Sequence, residues 1–280
     1  MLLKISDKKY FSIGKSDINN PKDLVISASF LKRVFREGLH NSLLFPMQVE
    51  ESLQDVFDLG SAFHCFVLEN NEFDKRFVVG EMQEIGDERI KILPQNFSFI
   101  EDAYQNIKIK YPEILNGKFV EIAMLSSFRG VKTKSKFDKL NFYQNEIEIV
   151  DLKGVYFDIY KQRRGANGEW RGIRKMLMDA DYDLQAFFYT LQLETLIKRI
   201  KTDIKEKDSL ETKALKNYIK KFGKPEVSFS LVVSSKKNCQ VQKFKVGFDM
   251  LESGREKFEI AFGEVEDFVK DGFIKKEIEI

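Results

Sequence analysis

Hydrophobic and polar residues alternate with two different periods along the chain, helical at first and strand-like in the middle. Apolar residues spaced three and four apart predict helices over 27–39, 52–70 and 97–111. Ser27 or Ser29 is a suitable N-cap for the first of these helices. The second carries a continuous stripe of leucine, valine and phenylalanine, which predicts one buried face.

From residue 118 onward the period changes to two, which is typical of strands with one covered face. The pattern predicts strands, joined in part by a hairpin turn at 141–145, over 118–126, 131–140, 146–154 and, more weakly, 155–161. A polar loop follows, and then a helix at 175–201 and a charged helical stretch at 200–224 that we expect to be solvated. Residues 225–280 predict a strand hairpin and a closing helix, and this helix is interrupted near Gly254.

This order of elements predicts an α/β or α+β fold with a central mixed sheet flanked by helices. We expect a single domain spanning 1–280. Its parts are N-terminal helices (25–115), a catalytic sheet (118–161), a helix (175–201) and C-terminal strands with a helix (225–280).

Composition narrows the class of protein. The chain has 280 residues, 43% of them hydrophobic, enough for a sizeable core. Its 46 basic and 44 acidic residues nearly balance, so any DNA-binding surface must be local. Cys65 and Cys239 lack metal or redox spacing, and two cysteines are too few for an iron–sulfur cluster. Without a signal-peptide or membrane-span pattern, the sequence predicts a soluble cytoplasmic protein with no membrane partner.

The strand "EIEIVDLKG" carries charges on the face that should be buried. Alternation places Asp151 and Lys153 on the same side as Ile147 and Ile149. Asp138 lies 13 residues before Asp151, on the facing arm of the predicted hairpin. A third carboxylate comes from the preceding strand. We therefore expect three carboxylates and one lysine to converge at one end of the sheet.

That preceding strand contributes Glu121. Carboxylate oxygens are hard ligands that hold Mg²⁺, and the ion lowers the pKa of a bound water. A nearby lysine stabilises the charge that develops when a phosphodiester is hydrolysed. The alternative is a surface salt bridge on an edge strand, because a D-x-K triplet alone is a frequent pattern.

The same residues resemble a known family. Asp138 followed by Asp151-x-Lys153 is similar to the signature of the PD-(D/E)xK nuclease superfamily. The segments "ISASFLKRV", "LGSAFHCFVLENNEFDKRF", "VEIAMLS" and "YDLQAFFY" resemble the exonuclease VIII-like and lambda-exonuclease-like recombination nucleases of phages, over about residues 25–270. The sequence departs from the pattern at Phe137 and Gly154, where small and hydroxyl residues are usual, and "VVSSKK" lacks an expected glutamate.

The resemblance implies a restriction-endonuclease-like core and a role for each matched residue. His64 and Asp138 would bind a metal ion together with Asp151 and the Leu152 carbonyl, and Glu121 would hold a second ion or a metal-bound water. The cofactor implied is Mg²⁺, replaceable by Mn²⁺, with two ions in the site.

The remaining implied roles concern the nucleophile and its surroundings. Lys153 would orient the attacking water. Gln185 and Tyr189 match the family's Y-x-x-Q-x-x-x-Y helix, which begins at Tyr182, and would support the site or contact the scissile strand.

Two basic segments are candidate DNA contacts. Guanidinium groups bind phosphates bidentately, and an aromatic ring stacks on an unpaired base. The segment "LKRV" offers Lys32 and Arg33 for a 5′ phosphate. The loop after the catalytic strand, which is otherwise a solvated loop, offers Arg163, Arg164, Trp170, Arg171 and Arg174.

The function implied by the resemblance is a Mg²⁺-dependent exonuclease. It would act 5′ to 3′ on linear duplex ends in a bacterial or phage-infected cell and leave single-stranded tails for recombination. A homo-oligomeric ring and a single-strand annealing protein are implied as partners. Two alternatives remain open, an endonuclease on the same fold and a binding module with an inactive site.

Overall fold

A mixed β-sheet forms the centre of the protein. The computed structural model describes residues 1–13, 21–44, 51–80, 88–156, 158–160, 163–164 and 170–271. Within these residues seven strands join in the order β1-β5-β6-β7-β10-β11, with β2 beside β6. Their bounds are β1 Leu2–Lys4, β2 Val25–Ile26, β5 Val120–Phe128, β6 Val131–Phe142, β7 Glu146–Val155, β10 Glu226–Ser235 and β11 Val241–Lys245.

Neighbouring strands pair antiparallel except at two places. The antiparallel neighbours are β1 and β5, β5 and β6, β6 and β7, and β10 and β11. Strand β10 runs parallel to β7, with Ser235 opposite Val155, and β2 runs parallel to β6. The strands predicted in the middle of the chain and the C-terminal hairpin are therefore confirmed.

The weak strand predicted over 155–161 is wrong for the residues described there, 156 and 158–160, while 157 and 161 lie outside the description. Strand β7 ends at Val155, and the chain turns at residues 159–160. The Asp158 carboxylate accepts a hydrogen bond from the Tyr160 amide at 3.0 Å. Such a local side-chain acceptor favours a turn over a strand.

Helices cover both faces of the sheet. The larger core cluster joins Ile149 of β7 to α2, α7 and α9, and the smaller joins Leu152 of β7 to α3 and α5. Residues 149 and 152 point to opposite faces because side chains alternate along a strand. The fold is thus mixed α/β with a central sheet flanked by helices, here α2 Ala28–Leu44, α3 Glu51–Leu68, α5 Pro94–Lys110, α7 Tyr182–Arg199 and α9 Phe248–Asp271.

The shorter elements connect these layers. Ser27 caps α2, since its hydroxyl accepts a hydrogen bond from the Phe30 amide at 3.4 Å. The sequence analysis did not predict β1, α1 or β2, which are too short to display a period. The remaining elements are α1 Asp7–Ser12, α4 Phe73–Arg76, β3 Phe77–Val79, β4 Ile90–Ile92, β8 Arg163–Arg164, β9 Trp170–Arg171, α6 Ile173–Asp179 and α8 Leu210–Phe222.

The single helix predicted over 175–201 is two helices, α6 and α7. The break falls at Asp181, whose φ of 55° lies in the left-handed region that aspartate tolerates better than most residues. Its carboxylate accepts hydrogen bonds from Arg36 Nε at 2.6 Å and Lys257 Nζ at 2.8 Å. These contacts to α2 and α9 hold the beginning of α7.

The closing helix α9 is continuous, so the interruption predicted near Gly254 is wrong. A Cβ atom on Gly254 would lie 2.1 Å from the Asp183 carbonyl oxygen. Glycine is required here because α9 and the backbone of α7 approach closely, and no bend results.

The charged stretch 200–224 is only partly helical. Helix α8 begins after Ser209, whose hydroxyl accepts a hydrogen bond from the Thr212 amide at 3.1 Å. Its Leu215 and Ile219 are buried in the larger core, so the helix is not wholly solvated as predicted. In the part of the chain that the structure describes, no helix has the length and apolarity needed to cross a membrane.

Candidate metal centre and active site

Strand β5 interrupts its own alternation at Glu121. The φ of Glu121 is 54°, in the left-handed region that a β-strand residue other than glycine rarely adopts. Phe119 and Ile122 are three residues apart, yet both pack in the larger core. Strict alternation would place them on opposite faces. The side chains of β5 therefore change face at Glu121, while the pairing register with β6 is kept.

Strand β6 has a matching irregularity at the same level. The pairs Val120–Lys139 and Ile122–Phe137 set Glu121 opposite Asp138. On β6, residues 137 and 140 are three apart and both belong to the larger core. The side chains of both strands therefore change face at the same level. The carboxylates of Glu121 and Asp138 lie side by side there, where the regular ladder is broken. Outliers of this kind concentrate at functional sites.

His64 of α3 completes a group of three potential ligands. Its Nδ1 lies 3.4 Å from Asp138 Oδ2 and 3.9 Å from Glu121 Oε1. One ligand atom from each of the three residues lies within 4.8 Å of the others. An imidazole nitrogen with two carboxylate oxygens is a donor set that suits a divalent cation.

The orientation of the His64 ring also fits metal binding. Its Nε2 lies 3.0 Å from the Leu152 carbonyl oxygen. In the tautomer that donates this hydrogen bond, the Nδ1 lone pair faces Glu121 and Asp138. Histidine ligands in metalloproteins are commonly oriented by such a bond from the other ring nitrogen to a backbone carbonyl.

Burial and mutual repulsion make this group electrostatically unbalanced. Burial, reinforced by the Asp138 charge, raises the pKa of Glu121 above its usual value. Burial alone would also raise the pKa of Asp138. The charges of His64 and Lys153, and the Leu152 amide that donates to Asp138 Oδ2 at 2.7 Å, outweigh burial and lower this pKa. Burial alone would lower the pKa of His64, yet its two carboxylate neighbours raise it to about 8.

Asp151 and Lys153 form an adjoining pair outside that group. Lys153 Nζ lies 2.5 Å from Asp151 Oδ2, and Gln185 Nε2 donates to Asp151 Oδ1 at 2.7 Å. Lys32 Nζ donates in turn to Gln185 Oε1 at 3.1 Å. Both ammonium groups lie over the ring of Tyr182, at 4.3 Å for Lys32 and 5.1 Å for Lys153.

Lys32, which the sequence offers for a 5′ phosphate, therefore lies beside Gln185 and Lys153. Burial and the charge of Lys153 lower the pKa of Lys32 to about 7. A lysine with so low a pKa gains charge readily when an anion approaches.

The other predicted residues lie farther from the ligand group or outside the description. Tyr189 is buried and packs edge-on against Phe137, with ring centroids 5.3 Å apart. Arg33 lies 3.7 Å from Glu37, and Arg174 pairs with Asp249 at 2.8 Å. The predicted polar loop contains the antiparallel pair β8–β9, and nothing is described of the side chains there, those of Arg163, Arg164, Trp170 and Arg171.

Sequence reasoning missed Lys136 and Asp7. Lys136 Nζ pairs with the Glu121 carboxylate on one side and with Asp7 of α1 on the other. The position of Lys136, two residues before Asp138, was the available signal. Asp7 gave none, because its approach depends on the pairing of β1 with β5.

Comparison with protein families gives a match over more than half of the chain. Residues 44–205 match the family described as a PDDEXK-like domain of unknown function (DUF3799). The chain belongs to this PDDEXK-like family. The matched range contains His64, Glu121, Asp138, Asp151 and Lys153, which confirms the superfamily expected from the sequence.

Comparison with solved structures agrees on the fold. A crystal structure from Eubacterium rectale, described as a "Putative exonuclease", superposes with a TM-score of 0.60 at 15% sequence identity. The alignment covers 98% of this PDDEXK-like chain and 89% of the other. None of the curated proteins compared with the chain is significantly similar to it.

Proposed function

We propose that this PDDEXK-like protein is a metal-dependent deoxyribonuclease that removes nucleotides from the ends of linear duplex DNA. One observation carries the proposal. The group of half-buried His64 with buried Glu121 and Asp138 adjoins Lys153 on the next strand, so ligands for a cation and a positive charge for a phosphate lie close together. Family membership and the described exonuclease from Eubacterium rectale support it.

The metal would be Mg²⁺, with Mn²⁺ as a substitute. His64 Nδ1 and the carboxylates of Glu121 and Asp138 would hold it, and we propose that Asp151 and the Leu152 carbonyl contribute to a two-ion site. When bound, the cation polarises the phosphoryl group and lowers the pKa of a bound water. The left-handed Glu121 and the hydrogen-bonded His64 ring hold the ligand atoms in advance.

Lys153 would orient the nucleophile and stabilise the charge that develops on the phosphate. Its Nζ is held by Asp151, which is fixed in turn by the Gln185 carboxamide. A preorganised cation in a buried site acts without reorganising during the reaction. Tyr189 would support the site indirectly, since it packs on Phe137, the residue before Asp138.

DNA would approach over the side where Lys32 lies. Lys32 already points at Gln185 and Tyr182 beside Lys153, so a phosphate near Lys153 would meet both ammonium groups. Further phosphate and base contacts are proposed for Arg33, Arg163, Arg164, Trp170, Arg171 and Arg174. Polarity from 5′ to 3′, a homo-oligomeric ring and an annealing partner are proposed from the family resemblance.

The test compares end-labelled linear duplex with a covalently closed circle of the same sequence. We expect Mg²⁺-dependent shortening of the linear duplex, an intact circle, and no reaction in chelator. Labels on the 5′ and 3′ ends, followed over time, assign the polarity. Cleavage of the closed circle would instead show an endonuclease, and no cleavage of either substrate would show a binding module.

A further inference from the structure

The two oxygens of the Glu121 carboxylate have different partners. Oε1 lies 3.9 Å from His64 Nδ1, on the side of the group of potential metal ligands. Oε2 contacts the Lys136 ammonium instead. Glu121 is buried and Lys136 is half-buried, so water screens the attraction between their charges only in part. The ammonium therefore occupies the outer side of a carboxylate that could otherwise bridge two cations.

A second carboxylate holds Lys136 from the other side. Lys136 Nζ also contacts Oδ1 of Asp7, in the first turn of α1. The other oxygen of Asp7, Oδ2, accepts a hydrogen bond from Arg76 Nη2 of α4 at 2.7 Å. Charges of opposite sign thus alternate from Arg76 through Asp7 and Lys136 to Glu121. An ammonium is a compact positive charge, and two carboxylate oxygens share it here as they would share a metal ion.

An open cavity of about 670 Å³ borders this row of charges. Arg76, Asp7, Lys136 and Glu121 are all among the residues that line it. Small ions from solvent can therefore reach the contact between Lys136 and Glu121 without crossing the core. If the ammonium were removed, two carboxylates would face a solvent-accessible gap, and repulsion between them would favour the entry of a cation.

We propose that Lys136 takes the place of a second metal ion at Glu121. The ammonium supplies the positive charge on Oε2, and Oε1, on the side of His64, remains for the proposed metal ion. Any further ion of the proposed site has to use the other carboxylates, Asp138 and Asp151. This inference rests on the proposed metal-dependent function and specifies which side of the site is closed to a second ion.

The test counts bound ions and does not depend on cleavage. The full chain is titrated with Mn²⁺ at neutral pH, and the free ion is followed by electron paramagnetic resonance. Lys136→Ala should bind one Mn²⁺ per chain more than the wild type, because Glu121 and Asp7 have lost the cation between them. Lys136→Met should gain the same ion and retains most of the apolar stem, so it replaces Lys136→Ala if thermal melts show that variant unfolded. Lys136→Arg keeps the charge and should bind as many ions as the wild type.

Two controls locate the additional ion. Lys136→Ala combined with Asp7→Asn should return to the number of ions in the wild type, since one of the two carboxylates is gone. Lys132→Ala removes a lysine from the same face of β6, where Lys132 pairs with Asp23 at 3.0 Å. Both of these side chains are more than half exposed, so water replaces the lost contact and no ion should be gained.

The results separate this inference from the proposed nuclease function. If Lys136→Ala and Lys136→Met bind as many ions as the wild type, the role of Lys136 is wrong and the nuclease stands. An additional ion that persists after Asp7→Asn would also overturn the inference, because the ion would lie elsewhere. A wild type that binds no Mn²⁺ would overturn the proposed metal centre, while a gain of one ion in Lys136→Ala would still support the role of Lys136.

Discussion

Strand β7 carries two buried acidic centres, and they differ in how their negative charge is compensated. Near the start of the strand, Glu148 accepts hydrogen bonds from Ser230 Oγ at 2.6 Å and Asn141 Nδ2 at 3.2 Å, and pairs with Lys243 at 2.9 Å. One carboxylate therefore meets a full set of donors. Asp151, the member of the second centre on this strand, comes three residues after Glu148.

The second centre brings three carboxylates together. Glu121, Asp138 and Asp151 meet there, with Lys136 and Lys153 as the paired lysines. Burial raises the pKa of Asp151, and the charge of Asp138 adds to the effect although Lys153 opposes it. Repulsion among buried carboxylates is unfavourable for folding, and a bound cation would relieve it.

The pKa of Glu148 shows the opposite behaviour. Burial alone would raise it, but hydrogen bonds from Ser230, Lys243 and Asn141 outweigh burial and lower it. The comparison teaches that burial of an acid does not distinguish function from structure, whereas the completeness of its partners does. Substituting the corresponding lysine or carboxylate in each of the two centres tests this directly.

The largest difference between the two centres is expected in the cleavage rate when the lysine of each centre, Lys153 or Lys243, is removed. Lys153→Ala should lower the rate of DNA cleavage by about 10²- to 10³-fold, because one preorganised charge at the reacting phosphate is removed. Lys243→Ala should leave the rate within a few fold, since Lys243 pairs with Glu148 and Glu113 away from the site. Single-turnover cleavage of end-labelled duplex, at a temperature where thermal melts show each variant folded, measures both. Equal rates for the two variants would remove the distinction between the centres.

The second difference between the two centres is expected in the stabilisation of the protein by a bound metal ion. A ligand present at 100 times its Kd stabilises a protein by about 2.7 kcal/mol, so saturating Mn²⁺ should raise the melting temperature by several degrees. Asp138→Asn should lose this rise because it removes a ligand at the centre of the group. Glu148→Gln should keep it, although from a lower starting temperature. Thermal melts with and without Mn²⁺ decide, and a Mn²⁺ response that survives in Asp138→Asn would place the ion elsewhere.

The fold and much of the site could be predicted from the sequence where side-chain period and chemistry agree. Alternation along β7 already placed Asp151 and Lys153 on one face. His64 is assigned to the site by the family resemblance, from its place in the motif "LGSAFHCFVLE" of α3. These are local signals, readable within one element.

What could not be predicted depends on contacts between elements. The left-handed Glu121 carries no mark in "KFVEIAMLS", since the irregularity involves β6 as well, where Asp138 lies opposite it. The division at Asp181 depends on Arg36 and Lys257, which are distant in sequence. In the sequence Gly254 is typical of a helix break, whereas in the structure it admits the backbone of α7.

A smaller effect is expected when the compensated centre itself is changed. Glu148→Gln should lower the free energy of unfolding by about 2 kcal/mol at pH 7, because hydrogen bonds to a charged group are weakened and Lys243 loses a buried partner. Glu146→Gln is the control, since Glu146 pairs with Lys245 at the exposed start of the same strand and should change stability by less than about 1 kcal/mol. Urea denaturation of both variants measures this, and DNA cleavage should be unaffected in either. Loss of cleavage with unchanged stability in Glu148→Gln would assign this centre to the active site.

The smallest effect is the pH dependence of the difference in stability between wild type and Glu148→Gln. The folded protein lowers the pKa of Glu148, so its ionised form contributes stability at every pH above the unfolded value of about 4.5. That contribution is lost as the pH falls through the lower, folded pKa, because the folded protein must then take up the proton. The stability gap between wild type and Glu148→Gln should therefore be constant from pH 7 to pH 5 and shrink from pH 4.5 downward. Urea denaturation at a series of pH values measures the gap. A gap that widened on acidification would mean that the donors around Glu148 do not favour its charged form, and the contrast between the two centres would fail.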